Sequence, residues 1–333
     1  MLSTPLRFNP IFRQYLWGGR RLQTALGKEI GVGDNYAESW EIVDHGEDQS
    51  RVKTGPWQGK SLQELLREHG PELLGRDFDS WLSASRPTAL ARRFPLLFKF
   101  LDCQRALSVQ VHPNDEQGQL QTPPDLGKTE AWVVLEAEPG SRVYAGLKTG
   151  IRKNELAEAV AAGRTEEVLH DFEPQRGDCI FIPAGTVHAL GAGLLIAEIQ
   201  QASDTTFRLF DWNRVDKTGQ GRPLHIQESL NVIDEHAGPV QPVIPIQDEA
   251  DAETLVRCEK FVLKRRRTSS SISLGGDDRM RLIAAVEGGV VVQSGTSEER
   301  LDRGETLLIP AAAGELQISP QHSDAETLEI TLS

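Results

Sequence analysis

One stretch of the chain decides the fold: GDCIFIPAGTVH, residues 177–188. It reads as a strand, a tight Pro-Ala-Gly turn and a second strand that begins near His188. The turn brings this histidine to a defined place. Three further side chains of metal-ligand type, Gln110, His112 and Glu130, lie upstream in equally strand-like surroundings. Together these residues predict one divalent-metal site inside a β-barrel.

Strand-like segments dominate the rest of the chain and are joined by turns rich in Gly, Pro and Asp. The fold class predicted is therefore all-β, a jelly roll with a few flanking helices. A helix should begin after Ser61, because an N-cap serine is followed by Glu64 and by leucines at helical spacing. A second helix is predicted near residues 152–162, and residues 166–171 suggest a third.

Two units are predicted, with a boundary in the proline-rich stretch 237–253. Residues 303–311 (RGETLLIPA) repeat the form of residues 176–184 (RGDCIFIPA), but no histidine follows at the position equivalent to His188. Residues 1–240 should therefore form the catalytic unit, with N-terminal strands and helical additions. Residues 254–333 should form a degenerate copy of it without a metal.

Composition excludes several classes of protein. Hydrophobic residues make up 38% and charged residues 26% of the 333 positions, as in soluble globular proteins, and no apolar run reaches the ~20 residues of a membrane helix. A net charge of −13 argues against nucleic acid and anionic membranes as partners. Three cysteines without metal-binding spacing, and an N-terminus unlike a secretory signal, favour the cytoplasm.

An anionic small substrate remains compatible with this charge, because a pocket has its own local field. The one basic run, residues 264–267 (KRRR), lies in a strand-like context and is interpreted as a solvated strand edge without a function.

Strand alternation groups the candidate site residues. Ser108, Gln110 and His112 fall on one face of their strand, which indicates a polar cavity or, alternatively, a solvent-facing strand. Lys128, Glu130 and Trp132 likewise share a face, which suits a phosphate contact, a metal ligand and a pocket wall in that order or, alternatively, a cross-strand ion pair.

His188, taken singly, is more often a buried hydrogen-bonded histidine than a ligand. The combination of His188 with Gln110, His112 and Glu130 favours a metal site. Two imidazoles, a carboxylate and an amide oxygen suit Zn²⁺, with Mn²⁺, Fe²⁺ or Co²⁺ as competitors, and a set without thiolates is typical of a catalytic site.

Downstream, residues 198–212 are dense in polar groups. Arg208 could hold a developing oxyanion or a substrate phosphate. Glu198 and Asp204 are acid/base candidates, although a structural salt bridge is the favoured interpretation of Asp204.

With these residues assembled, the chain resembles the type I phosphomannose isomerases of the cupin superfamily, in their compact bacterial form. The resemblance covers most of residues 8–236 and runs through YLWGG at 15–19, AESWE at 37–41, FPLLFK at 94–99, LSVQVHPND at 107–115, GKTEAW at 127–132 and the stretch 177–211. It implies a bicupin with one Zn²⁺ per chain, held by Gln110, His112, Glu130 and His188.

The resemblance also implies a catalytic role for Arg208, and contacts from Lys99, Ser108 and Lys128 to the substrate phosphate or sugar hydroxyls. The implied reaction interconverts D-mannose 6-phosphate and D-fructose 6-phosphate through a cis-enediol. Proton transfer between C2 and C1 requires a base, and Glu198 is the preferred one. Two alternatives stay open: an Fe²⁺-dependent cupin dioxygenase and a non-catalytic sugar-phosphate-binding cupin. A monomer or weak homodimer is expected.

Overall fold

The computed structural model describes residues 1–83, 90, 92–215, 218–295 and 297–333. Strands before residue 215 are β1 Phe8–Asn9, β2 Ile11–Gly19, β3 Tyr36–Ile42, β4 Asp44–His45, β5 Asp48–Gln49, β6 Arg51–Val52, β7 Leu96–Cys103, β8 Val109–Val111, β9 Glu130–Ala137, β10 Val143–Leu147, β11 Leu169–Phe172, β12 Cys179–Ile182, β13 His188–Leu190, β14 Leu194–Gln201 and β15 Phe207–Phe210.

The later strands are β16 Ile246–Gln247, β17 Ala252–Arg257, β18 Val262–Thr268, β19 Ile272–Gly275, β20 Arg281–Glu287, β21 Val290–Ser294, β22 Ser297–Leu301, β23 Thr306–Ile309, β24 Glu315–Pro320 and β25 Ala325–Thr331. Helices are α1 Arg21–Thr24, α2 Leu62–Leu74, α3 Phe78–Ser83, α4 Asp115–Gln119, α5 Lys153–Ala161 and α6 Ile226–Val232. Short 3-10 helices span Thr165–Val168 and Ala311–Ala313. Among the residues described, no helix is long and apolar enough to cross a membrane.

Two antiparallel sheets of the N-terminal part face each other. The larger has the strand order β12-β9-β14-β7-β3-β2 and the smaller the order β11-β10-β13-β8-β15. Their inner faces share one apolar cluster, in which Trp132 and Ile196 of the larger sheet join Val143 and Leu190 of the smaller. Two packed antiparallel sheets of this kind form the jelly roll that the sequence predicts.

The outer faces of both sheets are also covered, and this fixes which side chains point inward. Val109 and Val111 of β8 pack with Leu156 of α5 and Val232 of α6, so the intervening Gln110 faces the interior. The outer face of the larger sheet packs against the leucines of α2 and against strands β18, β20 and β25. One continuous core therefore joins the N-terminal jelly roll to the C-terminal strands.

The C-terminal strands repeat the sheet order of the N-terminal ones. Their larger sheet runs β23-β20-β25-β18-β17-β16, which matches β12-β9-β14-β7-β3-β2 strand for strand. A four-stranded sheet, β19-β24-β21-β22, faces it across a second apolar cluster. The two strands recognised as a sequence repeat, β12 and β23, occupy the same edge position in their sheets.

Two of the three helix predictions are confirmed. The Ser61 side chain accepts a hydrogen bond from the Glu64 backbone N–H, and the Glu64 carboxylate accepts one from the Ser61 backbone N–H, which is a complete capping box. Helix α5 falls within the predicted range 152–162. The third prediction, residues 166–171, is wrong beyond Val168, because the chain there joins the small sheet as strand β11.

The solvated edge predicted for the basic run is wrong. Strand β18 is paired on both sides, with β17 and β25. Arg266 is only 3% exposed and its Nε donates to Glu329 at 2.7 Å, while Arg265 donates through Nη1 to the carbonyl of Gly177 at 2.6 Å. Arg266 is neutralised by a tertiary ion pair, and Arg265 is held by a contact with the N-terminal jelly roll. Neither contact can be predicted from the local sequence pattern.

Candidate active site

A cavity of about 300 Å³ lies between the inner faces of the two N-terminal sheets. Of the nine side chains proposed from the sequence, eight line it: Lys99, Ser108, Gln110, Lys128, Glu130, His188, Glu198 and Arg208. The ninth, His112, contacts three of these eight, Lys128, Glu130 and His188. The structure thus brings the whole predicted set together.

Strand register explains how residues so far apart in sequence meet. On the small sheet, His188 of β13 and Arg208 of β15 both pair with Gln110 of β8. On the large sheet, Glu198 of β14 pairs with Lys99 of β7 on one side and with Trp132 of β9 on the other. Because paired residues point to the same face, each sheet presents one polar row to the cavity.

His112, Glu130 and His188 place ligand atoms within 4.8 Å of one another. His188 Nε2 lies 3.3 Å from Glu130 Oε1, and His112 Nε2 lies 3.6 Å from Glu130 Oε2. All three side chains are buried, with at most 1% exposure. Among the residues that the structure describes, this is the group of His, Cys, Asp or Glu residues that could share a metal ion.

The hydrogen bonds of both imidazoles suit metal binding. His112 Nδ1 lies 3.0 Å from the carbonyl oxygen of Thr205, and His188 Nδ1 lies 2.9 Å from that of Thr186. A carbonyl oxygen accepts only, so each Nδ1 carries the proton and each Nε2 keeps a lone pair directed at the cluster.

Protonation is also disfavoured at both rings. Burial lowers the pKa of His188 to about 3. Burial, followed by the positive charge of Lys128, also lowers the pKa of His112 well below its usual value. Both rings are therefore neutral at pH 7, the state in which histidine binds metals. The donor set fits a divalent ion.

Gln110 completes the cluster if its amide is turned. Its Nε2 stands 3.2 Å from His188 Nε2 and can donate to that lone pair. The amide nitrogen and oxygen of glutamine occupy nearly equivalent positions, so rotation by 180° directs Oε1 toward the same point. The residue can then serve as the fourth ligand that the sequence suggests.

Two lysines and two glutamates form a charged network beside the ligands. Lys128 Nζ donates to Glu130 Oε2 at 2.5 Å and to His112 Nε2 at 2.9 Å, both atoms that a metal ion would also use. Lys99 Nζ lies 3.3 Å from Glu198 Oε1, and Lys128 Nζ lies 3.9 Å from the same oxygen. Glu198 is therefore a buried carboxylate placed between two ammonium groups.

The burial of this network shifts its proton affinities. Burial raises the pKa of Glu198, and the charge of Glu130 adds to the effect, while Lys99 and Lys128 oppose it. Burial on its own would lower the pKa of Lys99, but the negative charges of Glu198 and Glu38 outweigh it and raise that pKa. Lys99 stays charged, and Glu198 is brought closer to neutrality, as a proton-transfer group requires.

Arg208 lies on the opposite wall, on strand β15. Its Nη1 donates to the carbonyl of Pro223 at 2.9 Å, which fixes the guanidinium plane. Its Nε is buried, and no hydrogen-bond partner for it is found among the described residues. A buried, unpaired donor in a cavity wall is suited to an anionic oxygen of a ligand.

Comparison with known proteins places the chain. The family model of the phosphomannose isomerase type I catalytic domain matches residues 6–132. Mannose-6-phosphate isomerase ManA of Bacillus subtilis is 34% identical over 320 residues, 96% of each chain. The chain belongs to the type I phosphomannose isomerase family. Mannose-6-phosphate isomerase of Streptococcus mutans is 33% identical and is matched over 99% of its length by 97% of this chain.

The fold agrees with membership of the type I phosphomannose isomerase family. The crystal structure of mannose 6-phosphate isomerase from Bacillus subtilis superposes with a TM-score of 0.85 at 27% identity, over 99% of this chain and 100% of that one. The match extends through the C-terminal strands, where the sequence resemblance was weakest. The jelly-roll architecture predicted from the motifs of residues 8–236 is thereby confirmed for the whole chain.

Several cavity residues of this type I phosphomannose isomerase were not assigned a role from sequence. Glu38 is 7% exposed and its Oε2 lies 3.6 Å from Lys99 Nζ. Trp17 and Tyr15 stack at 5.6 Å between ring centroids and form part of the wall. The motifs AESWE and YLWGG contain these residues, but alternation alone does not say which face is the inner one.

Asp204 is placed differently from the favoured sequence interpretation. It lines the cavity and forms no ion pair with the other residues that the structure describes, and its backbone N–H donates to Asp125 at 3.2 Å. Burial of the surrounding wall, together with the charge of Glu38, raises the pKa of its carboxyl group, against the effect of Lys99. Its side chain remains open to the cavity solvent. Asp204 thus joins Glu198 as an acidic group available to a ligand.

Proposed function

We propose that this protein interconverts D-mannose 6-phosphate and D-fructose 6-phosphate through a cis-enediol, and that it needs a divalent metal ion. The relatives above carry the name mannose-6-phosphate isomerase. The observation that carries the proposal is the cluster of three ligand atoms within 4.8 Å in the same cavity as a buried, lysine-flanked glutamate. A metal cluster beside a proton-transfer group suits isomerisation at a carbonyl carbon.

The metal we propose is one Zn²⁺ per chain, held by Gln110, His112, Glu130 and His188. Mixed nitrogen and oxygen donors without thiolate are typical of catalytic zinc, and Mn²⁺, Fe²⁺ and Co²⁺ are competitors. When bound, the ion supplies a Lewis acid that polarises an oxygen of the substrate.

Glu198 is proposed as the base that moves a proton between C2 and C1. It is 3% exposed, which excludes bulk water from the carboxylate, and Lys99 at 3.3 Å holds its orientation. The same carboxyl group can return the proton to the neighbouring carbon, because the two carbons are one bond apart. Lys99, Lys128 and Ser108 are proposed to bind substrate oxygens, through the donors that they direct into the cavity.

Arg208 is proposed to hold the oxygen on which negative charge collects during proton transfer. Its unpaired buried Nε and its fixed plane support this role. A donor preorganised in a water-poor site stabilises developing charge without having to reorganise.

The division of the chain into residues 1–240 and 254–333 is likewise a proposal. The repeated strand order supports it, and so does the content of the second interior. Ile182 pairs with Glu130, and the equivalent Ile309 pairs with Arg281. A guanidinium thus stands where the catalytic unit has a metal-binding carboxylate. The cytoplasmic location and the monomer or weak homodimer remain predictions.

The experiment that tests the function measures isomerisation of fructose 6-phosphate by the purified protein, before and after chelation, and after stepwise return of Zn²⁺, Mn²⁺ or Fe²⁺. Activity should disappear on chelation and return with one of these ions. The His188→Ala variant should lose bound metal, measured by elemental analysis. His170→Ala, which changes a histidine outside the cavity, should keep both metal and activity.

Other outcomes distinguish the alternatives. Metal-loaded protein that binds fructose 6-phosphate without turnover would favour a sugar-phosphate-binding cupin. Oxygen consumption that depends on Fe²⁺ would favour a dioxygenase. Inactivity on every hexose phosphate would end the isomerase proposal.

A further inference from the structure

Arg222 lines the same cavity and has no role in the proposal above. It lies in the segment between β15 and α6, with its side chain about one-third exposed at the cavity mouth. The sequence does not single it out, because it follows a stretch without strand or helix periodicity. Its position depends on tertiary contacts, which a local sequence pattern does not show.

Three hydrogen bonds fasten the residues after Arg222 to strand β15. The backbone N–H of His225 donates to the carbonyl of Arg208 at 2.7 Å, and the backbone N–H of Arg208 donates to His225 Nδ1 at 3.1 Å. The third is the bond from Arg208 Nη1 to the Pro223 carbonyl at 2.9 Å. The backbone that carries Arg222 is therefore held directly beside Arg208.

The side chain of Arg222 is held as firmly. Its Nε donates to Asp211 Oδ2 at 2.8 Å and its Nη2 donates to Asp211 Oδ1 at 2.5 Å, a two-point fork. Because the guanidinium is planar, this fork turns the remaining nitrogen, Nη1, away from Asp211. A cation whose plane is fixed, and whose third nitrogen has no hydrogen-bond partner among the described residues, is preorganised for a second anion.

The charges near Asp211 do not balance. Arg214 also donates to Asp211, and Arg208 lies close enough to be affected by both neighbouring arginines. Burial, and then the charges of Arg222 and Arg214, lower the pKa of Arg208. Among the described residues, three guanidinium groups thus lie near one carboxylate, an excess of about two positive charges at this side of the cavity.

The other side of the cavity has the opposite character. Lys99 and Lys128 are its two cations, and the carboxylates that line it are Glu38, Glu130, Glu198 and Asp204. Both lysines are engaged with these carboxylates at distances between 2.5 and 3.9 Å. Four carboxylates against two lysines leave this side about two charges negative, and a divalent ion at the cluster would bring it close to neutral. A phosphate dianion is therefore attracted more strongly to the arginine side.

We propose that Arg222, held by Asp211, binds the phosphate group of the substrate and so orients the sugar with its carbonyl end toward Glu198. The identity of the substrate as a hexose phosphate rests on the proposed function. The binding of inorganic phosphate at Arg222 does not depend on the proposed function. An experiment can therefore test the phosphate site and the isomerase activity separately.

The test measures binding of inorganic phosphate and of fructose 6-phosphate by calorimetry, together with kcat and KM, in the metal-loaded protein and its variants. A hydrogen bond to a charged group contributes roughly 1.5–3 kcal/mol, which corresponds to about 10- to 150-fold in affinity. Arg222→Ala should therefore weaken phosphate binding and raise KM by about that factor, with kcat changed less than about threefold. Arg222→Lys, which keeps the charge and loses the fork, should fall between.

A matched control is Arg142→Ala. Arg142 also pairs with an aspartate, Asp171, but does not line the cavity, so phosphate affinity and KM should stay within about twofold of the wild type. Turnover of unphosphorylated D-fructose, however slow, should be the same in Arg222→Ala as in the wild type. If Arg222 had a purely structural role, its loss would lower the turnover of the phosphorylated and the unphosphorylated sugar alike.

The outcomes are distinct. Wild-type activity with an unchanged KM and unchanged phosphate affinity in both Arg222 variants overturns this inference and leaves the isomerase proposal intact. Phosphate binding that depends on Arg222, in a protein inert on hexose phosphates, supports the inference while the isomerase proposal fails. Equal losses on phosphorylated and free sugar overturn it as well.

Discussion

Asp125 should be the residue whose loss damages both the stability and the metal site of this protein. It is 6% exposed and lies at the centre of a cluster of polar groups. Its hydrogen-bonding partners are His45 Nε2, Arg93 Nη1, the backbone N–H groups of Leu126 and Asp204, and the hydroxyls of Ser203 and Thr205. Truncation to alanine would remove the acceptor for all of them.

The expected cost follows from these contacts. Removing one partner of a buried ion pair destabilises a protein by about 3–5 kcal/mol. The Asp125–Arg93 pair, at 2.5 Å, fits this class, and the two orphaned hydroxyls add to the loss. The shift in Tm is the lost free energy divided by the entropy of unfolding. At ~2.1 cal/mol/K per residue, this entropy is about 0.7 kcal/mol/K for a 333-residue chain. Asp125→Ala should therefore lower Tm by about 4–7 °C.

The pH dependence of this contribution has a definite sign. Burial would raise the pKa of Asp125, but the hydrogen bond and charge of His45 and the hydrogen bonds from Arg93 and Thr205 outweigh it and lower that pKa. A carboxyl group with a lowered folded pKa stabilises the fold above its unfolded value of about 3.9. The contribution should be complete at pH 7 and decrease as the pH falls below about 4.

A link to the metal cluster runs through the backbone. Asp125 accepts from the Thr205 hydroxyl, and the Thr205 carbonyl accepts from His112 Nδ1. Loss of such an indirect support typically lowers metal affinity 10- to 100-fold. Asp125→Ala should show this loss in competition with a chelator, measured at a temperature well below its Tm.

The measurements are thermal unfolding at pH 7 and pH 3.5, followed by zinc competition. Asp171→Ala, which removes the partially exposed partner of Arg142, should change stability by less than about 1 kcal/mol and leave the metal affinity unchanged. If Asp125→Ala melts within 1 °C of the wild type at pH 7, or holds metal equally well, the reasoning from its hydrogen bonds is wrong.

Three further predictions concern single side chains. Glu198→Gln should lower kcat by about 10²- to 10⁴-fold in isomerisation assays and leave bound metal unchanged, whereas a loss below tenfold would exclude it as the base. Arg208→Ala should lower kcat by about 10²- to 10³-fold with a smaller change in KM, and the reverse pattern would point to ground-state binding. Ser61→Ala should cost about 0.5–2 kcal/mol in thermal unfolding through the lost capping box, with kcat unchanged.

Much of the site was predictable because it depends on period-two alternation. Once Val109 and Val111 are assigned to a core, Gln110 must face the other way, and the same holds for Glu130 between its neighbours. The turn at residues 183–185 fixed the place of His188 for the same local reason. These inferences need only one strand at a time.

The features that were missed or misinterpreted depend on contacts outside the local sequence window. Asp204 and Arg222 lie outside the strands, and their positions follow from hydrogen bonds to Asp125 and Asp211. Residues 264–267 looked like an exposed edge because a local window does not contain the partners of β18. In each case a tertiary contact, either a hydrogen bond or a strand pairing, overrides the local pattern.

The C-terminal unit shows what register adds to a sequence repeat. Aligning Ile182-Pro183 with Ile309-Pro310 identifies two equivalent edge strands, and strand pairing then equates Glu130 with Arg281 and Glu198 with Glu329. Glu329 pairs in register with Lys264, as Glu198 does with Lys99. The lysine and glutamate rows are therefore kept in both units.

The interiors of the N-terminal and C-terminal units differ in charge at one position, where Glu130 of the first is replaced by Arg281 of the second. Arg281 Nε donates to Glu329 at 2.9 Å, and Arg266 Nε donates to the same carboxylate at 2.7 Å, so two guanidinium groups supply positive charge inside this unit. A divalent cation placed beside them would be repelled, and the carboxylate it needs is already engaged. Position 315, which is equivalent to His188, is a glutamate, and this is one of two independent reasons to expect metal at the N-terminal cluster alone.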